Sequence, residues 1–112
     1  MVQFKTNSNE IEPASYVVLD RVSAYLLDNA NEQVVVRGYT ESIGSTTYNK
    51  SVSQFRASAV KSYLVGKGVN YNNITVFAKG AADPSASNQS FEGRQNNRRV
   101  EIEIPAKRPQ LN

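Results

Sequence analysis

The stretch from Val34 to Tyr63, VVVRGYTESIGSTTYNKSVSQFRASAVKSY, constrains the fold most. Its three consecutive valines lie in a strand predicted from Gln33 to Tyr39, and a continuous apolar run of this kind predicts burial on both faces. A polar loop, Thr40 to Thr47, follows, with Gly44 supplying tight backbone geometry. A helix then runs from about Tyr48 to Val65, and Gly66 and Gly68 supply its stop. After a turn at Asn70 to Asn73, Ile74 to Ala78 gives another strand. Strand, helix, strand in this order predicts a parallel pair joined by a right-handed crossover.

One residue breaks the pattern of that helix. On a wheel of about 100° per residue, Val52, Phe55, Ala59 and Tyr63 fall on one side of an apolar arc, and Ala57, Val60 and Leu64 on the other. Arg56 lands near the middle, where an apolar residue is expected. A guanidinium keeps its charge at any ordinary pH, so burying it alone is very costly. It needs an anion. Glu41, fifteen positions earlier, is one candidate, and a ligand carboxylate is the other. In the structural reading Arg56 pairs with Glu41 and pins the loop to the helix. In the functional reading Arg56 stands on the floor of a cleft at the C-terminal end of a strand, where ligands of open α/β sheets bind. Its fork of donors suits a carboxylate, and Glu41 then takes an ammonium. Acid and guanidinium together make a receptor for a zwitterionic amino-acid head group, with Asn49 and loop N–H groups as further donors.

The flanking segments are simpler. Val2 to Lys5 is a short strand, suited to a sheet edge, and Thr6 to Glu12 a polar loop. Pro13 fits a first helical position. Tyr16, Leu19, Val22 and Leu26 then recur at helical spacing until Asp28, Asn29 and Asn31 end the helix. Gly80 to Asn97 is rich in Ser, Ala, Asn and Gly and reads as a long surface loop in which Phe91 packs. Val100, Ile102 and Ile104 alternate with Arg99, Glu101 and Glu103, a half-buried strand from Arg98 to Ile104. By that parity Arg98 sides with the buried residues. Pro105 ends the strand, and 105–112 reads as a flexible tail. A start directly on strand-like sequence suggests a domain taken from a longer chain.

The 112 residues suit one domain with a core of its own. The sequence holds neither Cys nor His, which excludes disulfides and thiolate metal sites and removes the commonest general base. No serine has an obvious base beside it, and no carboxylate pair has hydrolase spacing, so an enzyme is disfavoured. Asp83, Glu92, Glu101 and Glu103 lack calcium-loop spacing, so no metal is expected. The charge of +3 is mild. The Arg94, Arg98, Arg99 cluster has no aromatic residues interleaved for base stacking, which argues against nucleic acid. No apolar run is long enough to span a bilayer.

The run GYTESIGSTTYNKSVSQFRASAVKSYLVGKGV, with GRQNNRRVEIEI later, resembles the OmpA-like C-terminal domain, related to peptidoglycan-associated lipoprotein and flagellar stator domains. Gly38, Thr40, Gly44, Tyr48, Asn49, Ser53, Arg56, Ala57, Val60, Tyr63, Leu64, Gly68 and Val69 stand in the register of the family pattern. So do Gly93, Arg94, Asn97, Arg98, Arg99 and Val100. The resemblance covers residues 1–104.

It implies an α+β fold, a β-α-β-α-β-β two-layer sandwich with helices packed on a mixed parallel and antiparallel sheet. It implies non-catalytic binding of peptidoglycan through the diaminopimelate of the peptide stem, anchoring a larger envelope protein to the cell wall from the periplasm. No cofactor and no membrane insertion by this domain are implied; further envelope proteins are possible partners. The ligand-binding residues it implies are Glu41, Arg56, Asn49, Thr40, Tyr48, Ser53 and one of Arg98 and Arg99, of which strand parity favours Arg98. Two positions depart from the family. Tyr39 stands where a His is usual, and Glu41 where an Asp is usual, which adds a methylene. Either Glu41 leaves room for the ligand, for this or another diamino acid, or it reaches Arg56 and closes the pocket, leaving a structural or protein-docking module.

Overall fold

The structure is a computed structural model, and it describes residues 2–5, 10–41, 45–82 and 97–105. Among the described residues, two helices pack on one face of a four-stranded sheet. The elements are β1 (Val2–Gln3), α1 (Ser15–Asp28), β2 (Val34–Gly38), α2 (Thr46–Gly66), β3 (Ile74–Ala78) and β4 (Arg99–Glu103), with a 3₁₀ turn at Tyr71–Asn73 before β3. The sheet order is β1-β4-β2-β3. β2 and β3 run parallel, while β4 is antiparallel to both β2 and β1. This is the α+β two-layer arrangement expected.

The strands differ from expectation in one respect. β2 is not buried on both faces. Val34, Val36 and Gly38 are buried, whereas Val35 and Arg37 are only partly covered. The reason is the two-layer build: the helices cover a single face. On the other face the Arg37 guanidinium pairs with Glu103 at 2.9 Å.

The core is formed by Phe4, Leu19, Leu26, Val34, Val36, Ala57, Val60, Leu64 and Val100, with others around them. Pro13 is not the first helical residue. It lies in the turn before α1, whose Ser15 amide bonds to the Glu12 carbonyl at 2.8 Å. Leu19 and Leu26 are buried with Ser15 and Ser23. Tyr16 stands at the edge, its ring 5.3 Å from that of Tyr63.

α2 starts about half a turn earlier than the apolar spacing suggests, because Ser45 caps it: the Tyr48 amide donates to Ser45 Oγ at 3.1 Å. Gly68, at φ 107°, ends it, and the Val69 amide returns to the Leu64 carbonyl. Its buried stripe is Asn49, Ser53, Arg56, Ala57, Val60 and Leu64. Phe55, placed on the apolar arc by the wheel, is 62% exposed. The stripe follows the side that meets Gly38, and Phe55 falls outside it.

Most of the loop 80–97, including Phe91 and Arg94, lies outside the described residues, as do Gly44 and the tail from residue 106.

Candidate functional site

The site forms where β2 ends and the first half of α2 passes over it. Gly38 faces Val100 across the β2–β4 pair. Continuing that antiparallel register sets Tyr39 opposite Arg99, whose carbonyl accepts from the Tyr39 amide at 2.9 Å, and Thr40 opposite Arg98. Side chains alternate along strands, so Thr40 and Arg98 belong to the helix-facing side and Tyr39 and Arg99 to the open side.

Arg56 is buried, 2% exposed. Its Nη1 donates to Thr40 Oγ1 at 3.0 Å, and its Cζ lies 5.5 Å from the centre of the Phe4 ring. Burial lowers its pKa from the ordinary arginine value. The nearby Glu41 carboxylate opposes this, Arg98 adds to it, and Tyr48 acts with Glu41. The guanidinium stays charged regardless.

Glu41, 4% exposed, forms an ion pair with Arg98, itself 1% exposed. Of the two arrangements open for Glu41, a pair with Arg56 or room for a ligand between them, neither includes its ion pair with Arg98, which the sheet register delivers beside the end of β2. Glu41 still acts on Arg56 through its charge. Arg98 is fixed in turn by its carbonyl, which accepts from the Phe4 amide at 3.2 Å. The site therefore gathers two buried guanidinium groups, one buried carboxylate and the Thr40 hydroxyl.

The remaining expected residues divide. Asn49 is buried on the same stripe as Arg56, about two turns and ~10 Å earlier along the helix. Tyr48 is exposed. Ser53 is fully buried, and its hydroxyl is already engaged: it donates to the Lys50 carbonyl and accepts from the Gly80 amide, each at 2.9 Å. Ser53 thus ties the segment after β3 to α2.

Strand alternation groups Arg99 with the polar residues Glu101 and Glu103, away from the core face. Arg99 is nevertheless buried, with Nε donating to Glu101 at 2.8 Å and Cζ 3.9 Å from the centre of the Tyr39 ring. Strand parity correctly separates Arg98 from Arg99, but cannot show that Tyr39 covers the second. Phe4 was missed as a site residue; a lone Phe in a short edge strand carries no signal of that role.

A two-layer α+β domain with a buried arginine–carboxylate constellation at a strand end is the class defined so far. The chain belongs to the OmpA family, whose model matches residues 3–98. It is 41% identical over 105 residues to outer membrane protein A of Bordetella avium, covering 94% of this chain and 54% of that protein. It is 38% identical over 103 residues to the peptidoglycan-binding protein ArfA of Mycobacterium bovis, covering 92% of this chain and 32% of that one. The chain thus spans about half the length of the first relative and a third of the second. Among solved structures, the peptidoglycan-associated lipoprotein of Burkholderia pseudomallei superposes with a TM-score of 0.85 at 25% identity, covering 90% of this chain and 86% of that one.

Proposed function

We propose that this domain binds peptidoglycan without catalysis, gripping the diaminopimelate of the stem peptide, and so anchors a larger envelope protein to the cell wall in the periplasm. The observation that carries the reading is Arg56: a buried guanidinium at the carboxyl end of β2, close to a buried acid. Arg56 receives the ligand carboxylate, and Thr40 holds the guanidinium in place. Glu41 receives the ammonium, with Arg98 fixing its position. Asn49 and Tyr48 supply polar contacts at the rim, and Ser53 supports the site from beneath by holding Gly80. The binding named for the ArfA relative, and the peptidoglycan association named for the lipoprotein, support this reading.

The Glu41–Arg98 pair favours a second reading. An acid already neutralised by a buried arginine has less to offer an ammonium, and the domain then serves as a structural or docking module.

Titration of the domain with a diaminopimelate-containing stem peptide, together with pull-down on purified peptidoglycan, decides. Wild type binds, and Arg56→Ala and Glu41→Ala each lose about 2–5 kcal/mol of binding, the range for truncating a buried charge partner. A folded wild-type domain that binds neither peptide nor wall overturns the proposal in favour of the second reading. Tighter binding by Glu41→Asp identifies the native site as a weakened one. Clearing of a cell-wall suspension by the domain contradicts the non-catalytic assignment.

A further inference from the structure

A cavity adjoins the site. It has a volume of about 310 Å³ and is lined by Thr46, Asn49 and Lys50 of α2 and by the segment Lys79 to Ala82 after β3. Its far wall is fixed by three hydrogen bonds. The Lys79 amide donates to the Gly38 carbonyl at 2.9 Å, the Thr40 amide to the Gly80 carbonyl at 2.8 Å, and the Gly80 amide to Ser53 Oγ at 2.9 Å. Gly80 turns the chain at φ 60°, a left-handed conformation that side chains disfavour.

The chemistry of this cavity is one-sided. Lys5 pairs with Glu10, Lys67 with Asp20, and Lys61 donates to the Ile74 carbonyl. Lys50 and Lys79 are the described lysines whose side chains make no hydrogen bond or ion pair with another described residue, and both line this cavity. Among the described residues no carboxylate lines it. The first turn of α2 holds no acidic residue, so the 21-residue helix carries no charge of its own that offsets its positive end there. Asn49, 5% exposed, also lines it, and its Oδ1 is without a hydrogen-bond partner. Oδ1 is itself an acceptor, but no described partner holds the carboxamide, so a half-turn about its terminal torsion presents its N–H donors to an anion instead. A buried polar group of this kind is costly unless a ligand or water satisfies it.

We propose that this cavity is an oxyanion subsite continuous with the Arg56–Glu41 site and that it takes a second carboxylate of the bound peptide, outside the diamino-acid head group. Lys50 and Lys79 supply charge, and Thr46, Asn49 and the α2 amides supply donors. The two sites share their walls, since Asn49 and Arg56 lie on one stripe and Thr40 is bonded to both Arg56 and Gly80. This assignment of a peptide carboxylate rests on the proposed peptidoglycan function.

The test compares two stem peptides by titration calorimetry, one with its carboxylates outside the diamino acid free and one with those groups amidated. Wild type prefers the free acid by about tenfold. Lys50→Gln and Lys79→Gln each remove about two- to fivefold of that preference, the worth of a partly exposed ion pair, and the double variant abolishes it while binding the amide as wild type does. No preference in wild type, or an undiminished preference in the double variant, overturns the proposal. Should wild type bind neither peptide, the proposed function fails, and a titration with inorganic phosphate followed by amide chemical shifts judges the subsite alone. Shifts centred on Thr46, Lys50 and Gly80 to Ala82 that vanish in the double variant support an anion site. Their absence overturns it.

Discussion

A β-carbon on Gly38 would stand 2.1 Å from the carbonyl oxygen of Ser53 and 3.0 Å from the β-carbon of Ala57. β2 and α2 therefore touch backbone to backbone at the place where Arg56 turns towards Thr40. The clash is with a helix carbonyl, which cannot rotate away. Gly38→Ala is expected to destabilise the domain by about 1–3 kcal/mol through overpacking, and to weaken ligand binding by displacing α2. Gly66 is the control: a β-carbon there meets nothing within 4 Å, and Gly66→Ala is expected to stabilise by up to ~1 kcal/mol. Urea unfolding of both variants checks the pair.

The Glu41–Arg98 pair makes a different demand. Both partners are removed from water, so truncating one strands the charge of the other. Arg98→Ala is expected to cost about 3–5 kcal/mol. Replacing both charges, as in Glu41→Leu with Arg98→Met, is expected to cost less than either single truncation, because a well-packed apolar pair carries no desolvation penalty. Denaturation midpoints at unchanged m-value report this directly. The double variant is also expected to lose ligand, so that stability and function separate.

These relationships were legible in the sequence to different degrees. The parallel β2–β3 pair and the β4 strand followed from valine-rich and alternating patterns, which depend only on local periodicity. Arg56 was visible because a charge in an apolar arc violates a binary pattern. The exposure of Phe55 was not, because the wheel fixes relative angles but not which part of the arc meets the sheet; Gly38 decides that, by letting the helix approach at Ser53 and Ala57. The partner of Glu41 was hidden for a related reason. Arg98 is 57 residues away, and it arrives through the β2–β4 register, which no local pattern states. Burial of Arg99 was hidden too, since alternation assigns a face, not what covers it.

The wheel's error gives a test of its own. Phe55 is exposed while its neighbour Arg56 is buried. Phe55→Ala is expected to change stability by no more than about 0.5 kcal/mol, as for surface substitutions generally. Arg56→Met removes a buried charge but keeps an unbranched stem, so it is expected to fold at near wild-type stability and to lose ligand. Thermal unfolding with parallel peptide titration distinguishes the two positions, although they are adjacent in sequence.

Away from the site, Tyr63 links the two helices. Its hydroxyl donates to the Asp20 carboxylate of α1, while the Lys67 ammonium lies 3.6 Å from the same carboxylate. The bond to Asp20 raises the Tyr63 pKa above the ordinary tyrosine value, with partial desolvation adding to it and Lys67 opposing. The sign of the linkage follows. A phenol whose pKa is higher in the folded state than in the unfolded chain stabilises the fold below the unfolded value, near ~10. That contribution is lost as pH rises through the folded value. The domain is therefore expected to lose stability in this alkaline window, and Tyr63 to ionise later than free tyrosine in a spectrophotometric titration. Asp20→Asn removes the charged acceptor and is expected to bring the Tyr63 ionisation back towards the ordinary value and flatten the alkaline loss. Because the Tyr63 hydroxyl and Asp20 meet at the exposed rim of a half-buried ring, the effect on stability at neutral pH is expected to be small, and the titration curve is the more sensitive readout.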